Sequence, residues 1–167
     1  MKTIKVQKLS RDAFHKFGDY AMLIDPLNEE ATGPKDAVCA FFRDMLPVDL
    51  GGAVPSFSTC RILPRKMVVT DAEYHDYTCE AAMPLDQDAI FWCAPATAGS
   101  DFPADKVEAF LIPKGTIIKL RPGVWHHAAF ATEDRALNVM IVLPERAYLN
   151  DINCMSVAEN DQIAIEL

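Results

Sequence analysis

The sequence predicts an all-β fold, a sandwich or barrel with one short N-terminal helix. Three observations predict it. Strand-like stretches recur roughly every 8 to 15 residues, with turn residues between them. Long amphipathic helices are absent. The 167 residues, half of them hydrophobic, are enough for one sizeable core, and no repeat or linker divides them. The expectation is therefore a single domain over residues 1–167.

The elements follow in order. Residues 3–9 alternate as a strand does. Ser10 then N-caps a short helix, Asp12 favours its positive end and Gly18 stops it. Phe14 and Phe17 lie three apart and share the buried face, as a lid on one barrel end, while His15 falls on the other side. Residues 20–24 read as a strand, 25–36 as a loop with Pro26, Gly33 and Pro34, and 37–42 as a short apolar strand. After a loop over 46–55, strands are expected over 56–62, 67–75, 78–83, 89–94, 107–112, 116–120, 124–130 and 137–143. Residues 90–94 are apolar without alternation, which implies burial on both faces. Cover for the second face would come from a homodimer partner or from the N-terminal segment. The acidic end, 153–167, closes on alternating Ile163, Ile165 and Leu167, an edge strand or a dimer contact.

Composition excludes several partners. The net charge of −8 opposes binding to nucleic acid or to an anionic membrane. It does not oppose a small anionic substrate, because a local cation can outweigh the global field. The longest apolar run, 89–98, is broken by Pro95 and too short to cross a bilayer. No basic-then-apolar leader opens the chain. The five cysteines, at 39, 60, 79, 93 and 154, form no C-x-x-C and are odd in number. Reduced thiols in a cytoplasmic location are the expectation. No G-x-S-x-G, phosphate-binding glycine loop or Cys/His nucleophile signature is present, so no organic cofactor is expected.

The chemistry is expected around residues 115–130, GTIIKLRPGVWHHAAF. Arg121-Pro122-Gly123 punctuates two strands as a tight turn. Val124-Trp125-His126-His127 follows at once. Consecutive strand residues face opposite sides, so one histidine looks into a pocket and the other, His127, is left for a structural hydrogen bond. Upstream, Glu73 and His75 point the same way in an extended chain. Glu80 can return to them if the chain turns around Asp76-Tyr77. With His126, these are four metal-competent groups: two imidazoles and two carboxylates. Such a mixed set suits a divalent Zn, Mn, Fe or Ni ion. Weaker candidates are Arg61, whose planar fork can hold a carboxylate, and Lys119, an anion contact or proton donor. Tyr74 and Trp125 are candidate substrate contacts lining the pocket.

These motifs carry a resemblance. Cupin β-barrels have H-x-H, three or four residues, then E, followed by P-x-G-x-x-H. The chain has E-Y-H-D-Y-T-C-E and R-P-G-V-W-H, with Glu73 in place of the first His and His75, Glu80 and His126 matching. The chain more narrowly resembles the ureidoglycolate lyase family, which is cupin-like. The stretches that carry this are residues 9–19 (LSRDAFHKFGD), Arg61-Ile62-Leu63-Pro64, Glu73-Tyr74-His75 with Pro84, and Gly123-Val124-Trp125-His126-His127. Departures are Tyr74 for an Arg, Glu80 for a Gln, and Lys119-Leu120 for an Asn-Tyr pair.

The resemblance implies a double-stranded β-helix, or jelly-roll barrel, and a homodimer. It implies release of urea from ureidoglycolate to leave glyoxylate. That chemistry needs a base for the hydroxyl proton and an acid for the departing nitrogen. His126 and Glu73, with Lys119 as donor, are the candidate proton carriers. Other readings are a metal-dependent cupin isomerase or lyase for another small hydroxy acid, keto acid or sugar, and a non-catalytic cupin that binds a small ligand.

Overall fold

A computed structural model describes residues 1–24, 26, 33, 35, 36 and 38–167. Strands carry almost all of its regular structure. In chain order they are β1 (Lys2–Lys8), β2 (Gly18–Met22), β3 (Pro55–Ile62), β4 (Val68–Val69), β5 (Asp71–Tyr74), β6 (Glu80–Pro84) and β7 (Ala89–Cys93). They continue with β8 (Glu108–Ile112), β9 (Thr116–Leu120), β10 (Phe130–Ala131), β11 (Leu137–Pro144), β12 (Asn153–Ser156) and β13 (Ile163–Glu166). Two short α-helices, α1 (Arg11–Phe14) and α2 (Ala147–Asn150), and two 3₁₀ turns, Ala104–Lys106 and Glu159–Asp161, complete the set.

One sheet of six strands has the order β10-β7-β8-β1-β13-β4 and faces a five-stranded sheet, β2-β9-β6-β11-β3. A third pair, β12-β5, stands beside them. The two main sheets enclose one apolar core. Phe91, Cys93, Phe110 and Ile112 come from the first sheet, and Ile62, Ala82, Ile118, Leu120, Leu137 and Val139 from the second. The fold is the cupin-like β-barrel that the motifs imply.

The N-terminal lid forms as its residues dictate. The Ser10 hydroxyl accepts from the Ala13 N–H at 3.3 Å and caps α1. Phe14 and Phe17 are fully buried, edge-on to each other and to Phe110. Gly18 begins β2 rather than merely ending the helix.

Strand β7 is buried along its whole length. Ala89, Phe91 and Cys93 enter the core between the sheets, and Ile90, Trp92 and Ala94 enter a second cluster. The chain itself supplies that second layer, through Phe102, Val107, Trp125, Val157, Ile163 and Ile165. Burial of residues 90–94 therefore calls for no partner molecule. Ile163 and Ile165 alternate inward as expected, but β13 lies between β1 and β4 rather than at an edge.

Two strands were expected where the chain does something else. The stretch 124–130 makes single bridges at Trp125 and His126 before β10. Of the loop over 25–36 and the strand over 37–42, residues 25, 27–32, 34 and 37 lie outside the described ones. Near residue 37 the described neighbours form a turn, because the Asp36 carboxylate accepts from the Val38 and Cys39 N–H groups at 2.7 and 2.8 Å. All five cysteines are free thiols. Among the described residues no helix is long and apolar enough to cross a membrane.

The close contact of β2 with β9 gives a stability test. A Cβ on Gly18 would lie 1.6 Å from the Lys119 carbonyl oxygen, whereas one on Gly99 meets nothing within 4 Å. Backbone cannot yield as a side chain can, so Gly18→Ala is expected to cost at least about 1–3 kcal/mol in urea denaturation. Gly99→Ala is expected to stay within about 0.5 kcal/mol of the parent.

Candidate functional site

Two chain segments are laced together at the end of the barrel. The Arg121-Pro122-Gly123 turn has Gly123 at φ 79°, and the Val124 N–H donates to the Arg121 carbonyl at 3.2 Å. That is a type II turn, with Pro and Gly at its central positions. The Gly123 N–H donates to the His75 carbonyl at 2.7 Å. Glu73 and His126 exchange both backbone hydrogen bonds, at 2.8 and 2.9 Å. Residues paired in this way project to the same side. Glu73 Oε1 accordingly sits 4.0 Å from His126 Nε2. On the opposite side Tyr74 meets Trp125, ring centroids 4.4 Å apart.

Glu80 returns to this ladder through a bend at residues 76–78, where the sequence placed the turn. Its Oε2 lies 3.1 Å from His75 Nε2 and 3.2 Å from His126 Nε2. All three side chains are buried, and their ligand atoms lie within 4.8 Å of one another. The other nitrogen of each ring is fixed by a backbone carbonyl. His126 Nδ1 donates to the Val124 oxygen at 2.9 Å, and His75 Nδ1 donates to the Asp151 oxygen. A carbonyl only accepts, so each Nδ1 carries the hydrogen. In a neutral ring each Nε2 then presents a lone pair to a carboxylate oxygen.

Such a cluster requires positive charge at its centre, from protons or from a cation. Burial alone would raise the Glu80 carboxyl, but the His126 charge and hydrogen bonds from both rings outweigh it and hold the group at about 2. Burial would lower His126, but the Glu80 charge and hydrogen bond, helped by Glu73, push it up to about 9. His75 is raised for the same reason, against its own burial. Two Nε2 atoms and a carboxylate, each ring oriented by a carbonyl behind it, are also a fitting donor set for a divalent ion. Glu73 stands beside the three, its Oε2 accepting from the Cys154 thiol at 3.6 Å.

A cavity of about 70 Å³ opens against this group. Ile62, Phe91, Ala129, Val139 and Ile141 give it an apolar wall, and Cys60, Glu73, Glu80, His127 and Tyr148 are its polar side chains. Four expected substrate contacts do not line it. Arg61 lies between Cys60 and Ile62 on β3 and so projects to the outer face, across from Asn138. Lys119 pairs with Ala81, on the face opposite Glu80, and its Nζ is 3.1 Å from Asp19. Neither reaches the cavity. Tyr74 and Trp125 line an outer groove with Ser100 instead, on the far side of the ladder.

Two residues that line the cavity were not expected there. His127 follows the last bridge of the ladder, where strict alternation has ended. Tyr148 arrives from α2, and no local pattern announced it. The cavity wall is also pinned by Arg65, whose guanidinium donates to the Ala128 and Ala129 carbonyls at 2.8 Å each.

The family model described as ureidoglycolate lyase matches residues 1–166. A ureidoglycolate lyase of Burkholderia cepacia is 29% identical over 134 residues, covering 78% of this chain and 73% of that protein. One of Burkholderia mallei (strain NCTC 10229) is 31% identical over 136 residues, covering 78% and 76%. Among solved structures, a dTDP sugar isomerase from Desulfovibrio desulfuricans G20 has a TM-score of 0.50 at 12% identity, covering 87% of this chain and 85% of that one. At that identity the likeness speaks for the fold alone. Oxalate decarboxylase of Bacillus subtilis, with a TM-score of 0.44 and 13% identity, is matched over 78% of this chain and 30% of its own. That likeness supports nothing further.

The buried pair sets a pH dependence for the metal-free protein. The Glu80 value is depressed from 4.5, so its contribution is present above 4.5 and lost as pH falls toward about 2. The His126 value is raised from 6.5, so its contribution is present below 6.5 and lost as pH rises through about 9. In calorimetry with a chelator, the melting temperature is expected to be highest between about pH 4.5 and 6.5 and to fall toward pH 9. In Glu80→Gln, only Glu73 and the Val124 carbonyl still act against burial on His126, and the alkaline fall is expected to shrink. Superimposable profiles would show that the pair is not formed.

Proposed function

The chain belongs to the ureidoglycolate lyase family, and on that premise we propose that it releases urea from ureidoglycolate to leave glyoxylate. The observation that carries this reading is the convergence of two Nε2 atoms on one Glu80 oxygen, at 3.1 and 3.2 Å, at the wall of a small cavity. The cavity volume of about 70 Å³ suits a short hydroxy acid better than a sugar nucleotide, since drug-sized sites run to roughly 300–1,000 Å³.

The reaction is an elimination. The carbinol hydroxyl loses its proton, its oxygen becomes the glyoxylate carbonyl, and the C–N bond breaks with its electron pair going to nitrogen. That nitrogen gains a proton and leaves as urea. Glu73 lines the cavity and is free of any cationic partner except His126 among its described contacts. It is the base we assign to the hydroxyl proton. His127 and Tyr148 line the same cavity and can return a proton to the leaving nitrogen.

His75, Glu80 and His126 would hold a divalent ion, with Glu73 as a further carboxylate beside them. The mixed nitrogen and oxygen donors favour Zn, Mn, Fe or Ni. Such an ion, when bound, polarises the hydroxyl and carboxylate oxygens of a hydroxy acid. None of the cavity's described lining side chains is a Lys or Arg, so this group supplies positive charge for an anionic substrate, with Arg65 behind the wall.

We read the protein as a single domain over residues 1–167 and as a cytoplasmic homodimer. Five free thiols support the compartment. The outer edge of β3, with Phe57 69% exposed between exposed Val54 and Leu63, is a surface that a second copy can cover.

Purified protein of known metal content is expected to release urea from ureidoglycolate. Glu73→Gln is expected to lower kcat by about 10²–10⁴-fold, the usual worth of a general base. Glu80→Gln is expected to lose both bound metal and activity. Arg61→Ala and Lys119→Ala, on outer faces, are expected to stay within about twofold of the parent. A metal-replete enzyme that releases no urea would overturn the reading in favour of another small hydroxy acid, keto acid or sugar.

A further inference from the structure

The bend between His75 and Glu80 is held by a residue far along the chain. Asp151 closes α2, its N–H donating to the Ala147 carbonyl at 2.8 Å. Its own carbonyl accepts the hydrogen of His75 Nδ1. Its carboxylate takes three further donors. The Asp76 N–H reaches Oδ1 at 2.6 Å, the Tyr77 N–H reaches Oδ2 at 3.2 Å, and the Thr78 hydroxyl reaches Oδ2 at 3.1 Å. Asp151 is buried. Two residues on, the Asn153 amide donates to the Asp76 carboxylate at 2.8 Å.

Sheet pairing sets Glu80 opposite Leu120, but residues 76–78, which lead to it, lie in no strand or helix. The Asp151 carboxylate shapes that bend. By gathering the donors of three successive residues it allows the bend one shape, much as an N-cap fixes the first turn of a helix. The same residue's carbonyl orients the His75 ring so that Nε2 faces Glu80. One residue therefore holds the His75 ring and the bend that leads to Glu80, from outside the group. A carboxylate is suited to this because both oxygens only accept, whereas an amide would turn an NH₂ toward one of the donors.

We infer that Asp151 is a positioning residue for this site: its carbonyl selects the His75 tautomer that offers Nε2, and its carboxylate fixes the bend that brings Glu80 to it. This rests on the reading of His75, Glu80 and His126 as metal ligands. Because Tyr148 lies on α2, the same anchor also ties that wall of the cavity to the ligand pair.

The test compares Asp151→Ala and Asp151→Asn with the parent, first without metal. Amide exchange at Asp76 and Tyr77 is expected to quicken at least tenfold in Asp151→Ala, while exchange at Ile118 and Val139 in the core strands stays as in the parent. Both variants keep the Asp151 carbonyl, so in nitrogen NMR of the imidazoles His75 and His126 are both expected to keep Nδ1–H, which separates the part of the carbonyl from that of the carboxylate. Zinc affinity by chelator competition is then expected to fall about 10–100-fold, with Asp151→Asn intermediate. Unchanged exchange at residues 76 and 77, or equal quickening in the core strands, would overturn the inference. If Asp151→Ala does not fold, Asp151→Asn carries the same comparison. A parent protein that binds no zinc would defeat the metal reading, while the exchange and tautomer results would still decide the role of Asp151.

Discussion

Two imidazoles that have each committed Nδ1–H to a backbone carbonyl can offer only a lone pair, and both offer it to one oxygen of Glu80. That arrangement is repulsive until positive charge enters it. Protons can supply the charge, which is why the Glu80 value is held down at about 2 and the His126 value up at about 9 against the pull of burial. A divalent ion can supply it as well, and the carbonyls behind the rings are the usual means of orienting ligand histidines. Most of the surrounding structure is needed to hold this unstable set of groups together.

The backbone does the first part. The ladder between residues 73–75 and 123–126 fixes which side chains share a side, and the Gly123 turn delivers its N–H to His75 itself. The side chains on the other side of that ladder, Tyr74 and Trp125, are packed against Phe102 and the second apolar cluster. The ladder cannot roll without exposing them. Glu80 sits at the start of β6, paired with Leu120 of β9. Its backbone is thereby part of the five-stranded sheet, and its carboxylate is a charged group sent into a largely apolar interior. A buried charge of this kind is tolerated because it is hydrogen-bonded and paired on arrival.

Much of this was legible in the sequence, for a definite reason. Period-2 alternation relates Glu73 to His75, and a tight-turn signature precedes His126, so local rules suffice to bring these three side chains to one place. Local rules fail where the question is which face of a strand looks inward. Arg61 and Lys119 were placed in a strand correctly, but on the wrong side of it. Cys60, Ile62 and Leu120 occupy the inward positions, and an apolar residue wins that place over a charged neighbour. Alternation also misled at His127, because the chain leaves the ladder after His126 and the rule no longer applies. Tyr148 and Asp151 lie some seventy residues from the bend and the ligand-forming segment, and contacts at that distance leave no periodic trace.

The charge demand also governs how ligand and proton compete at this site. Below the raised His126 value of about 9, the ring is protonated and its Nε2 faces the Glu80 carboxylate. A metal ion can bind only by displacing that proton, so its apparent affinity rises with pH until the ring is neutral by itself. The carbonyl contacts ease the exchange. They already hold Nδ1 in its protonated form, so the rings need not turn over when Nε2 is released. An anionic substrate meets the same accounting of charge. With Glu73 and Glu80 both on the cavity and no described Lys or Arg lining it, two carboxylates oppose the substrate's own. The imidazoles and any cation they hold supply attraction at the cavity, with Arg65 behind its wall. A site built this way binds acids only when its centre is positively occupied, which makes the state of two histidines a condition for binding as well as for chemistry.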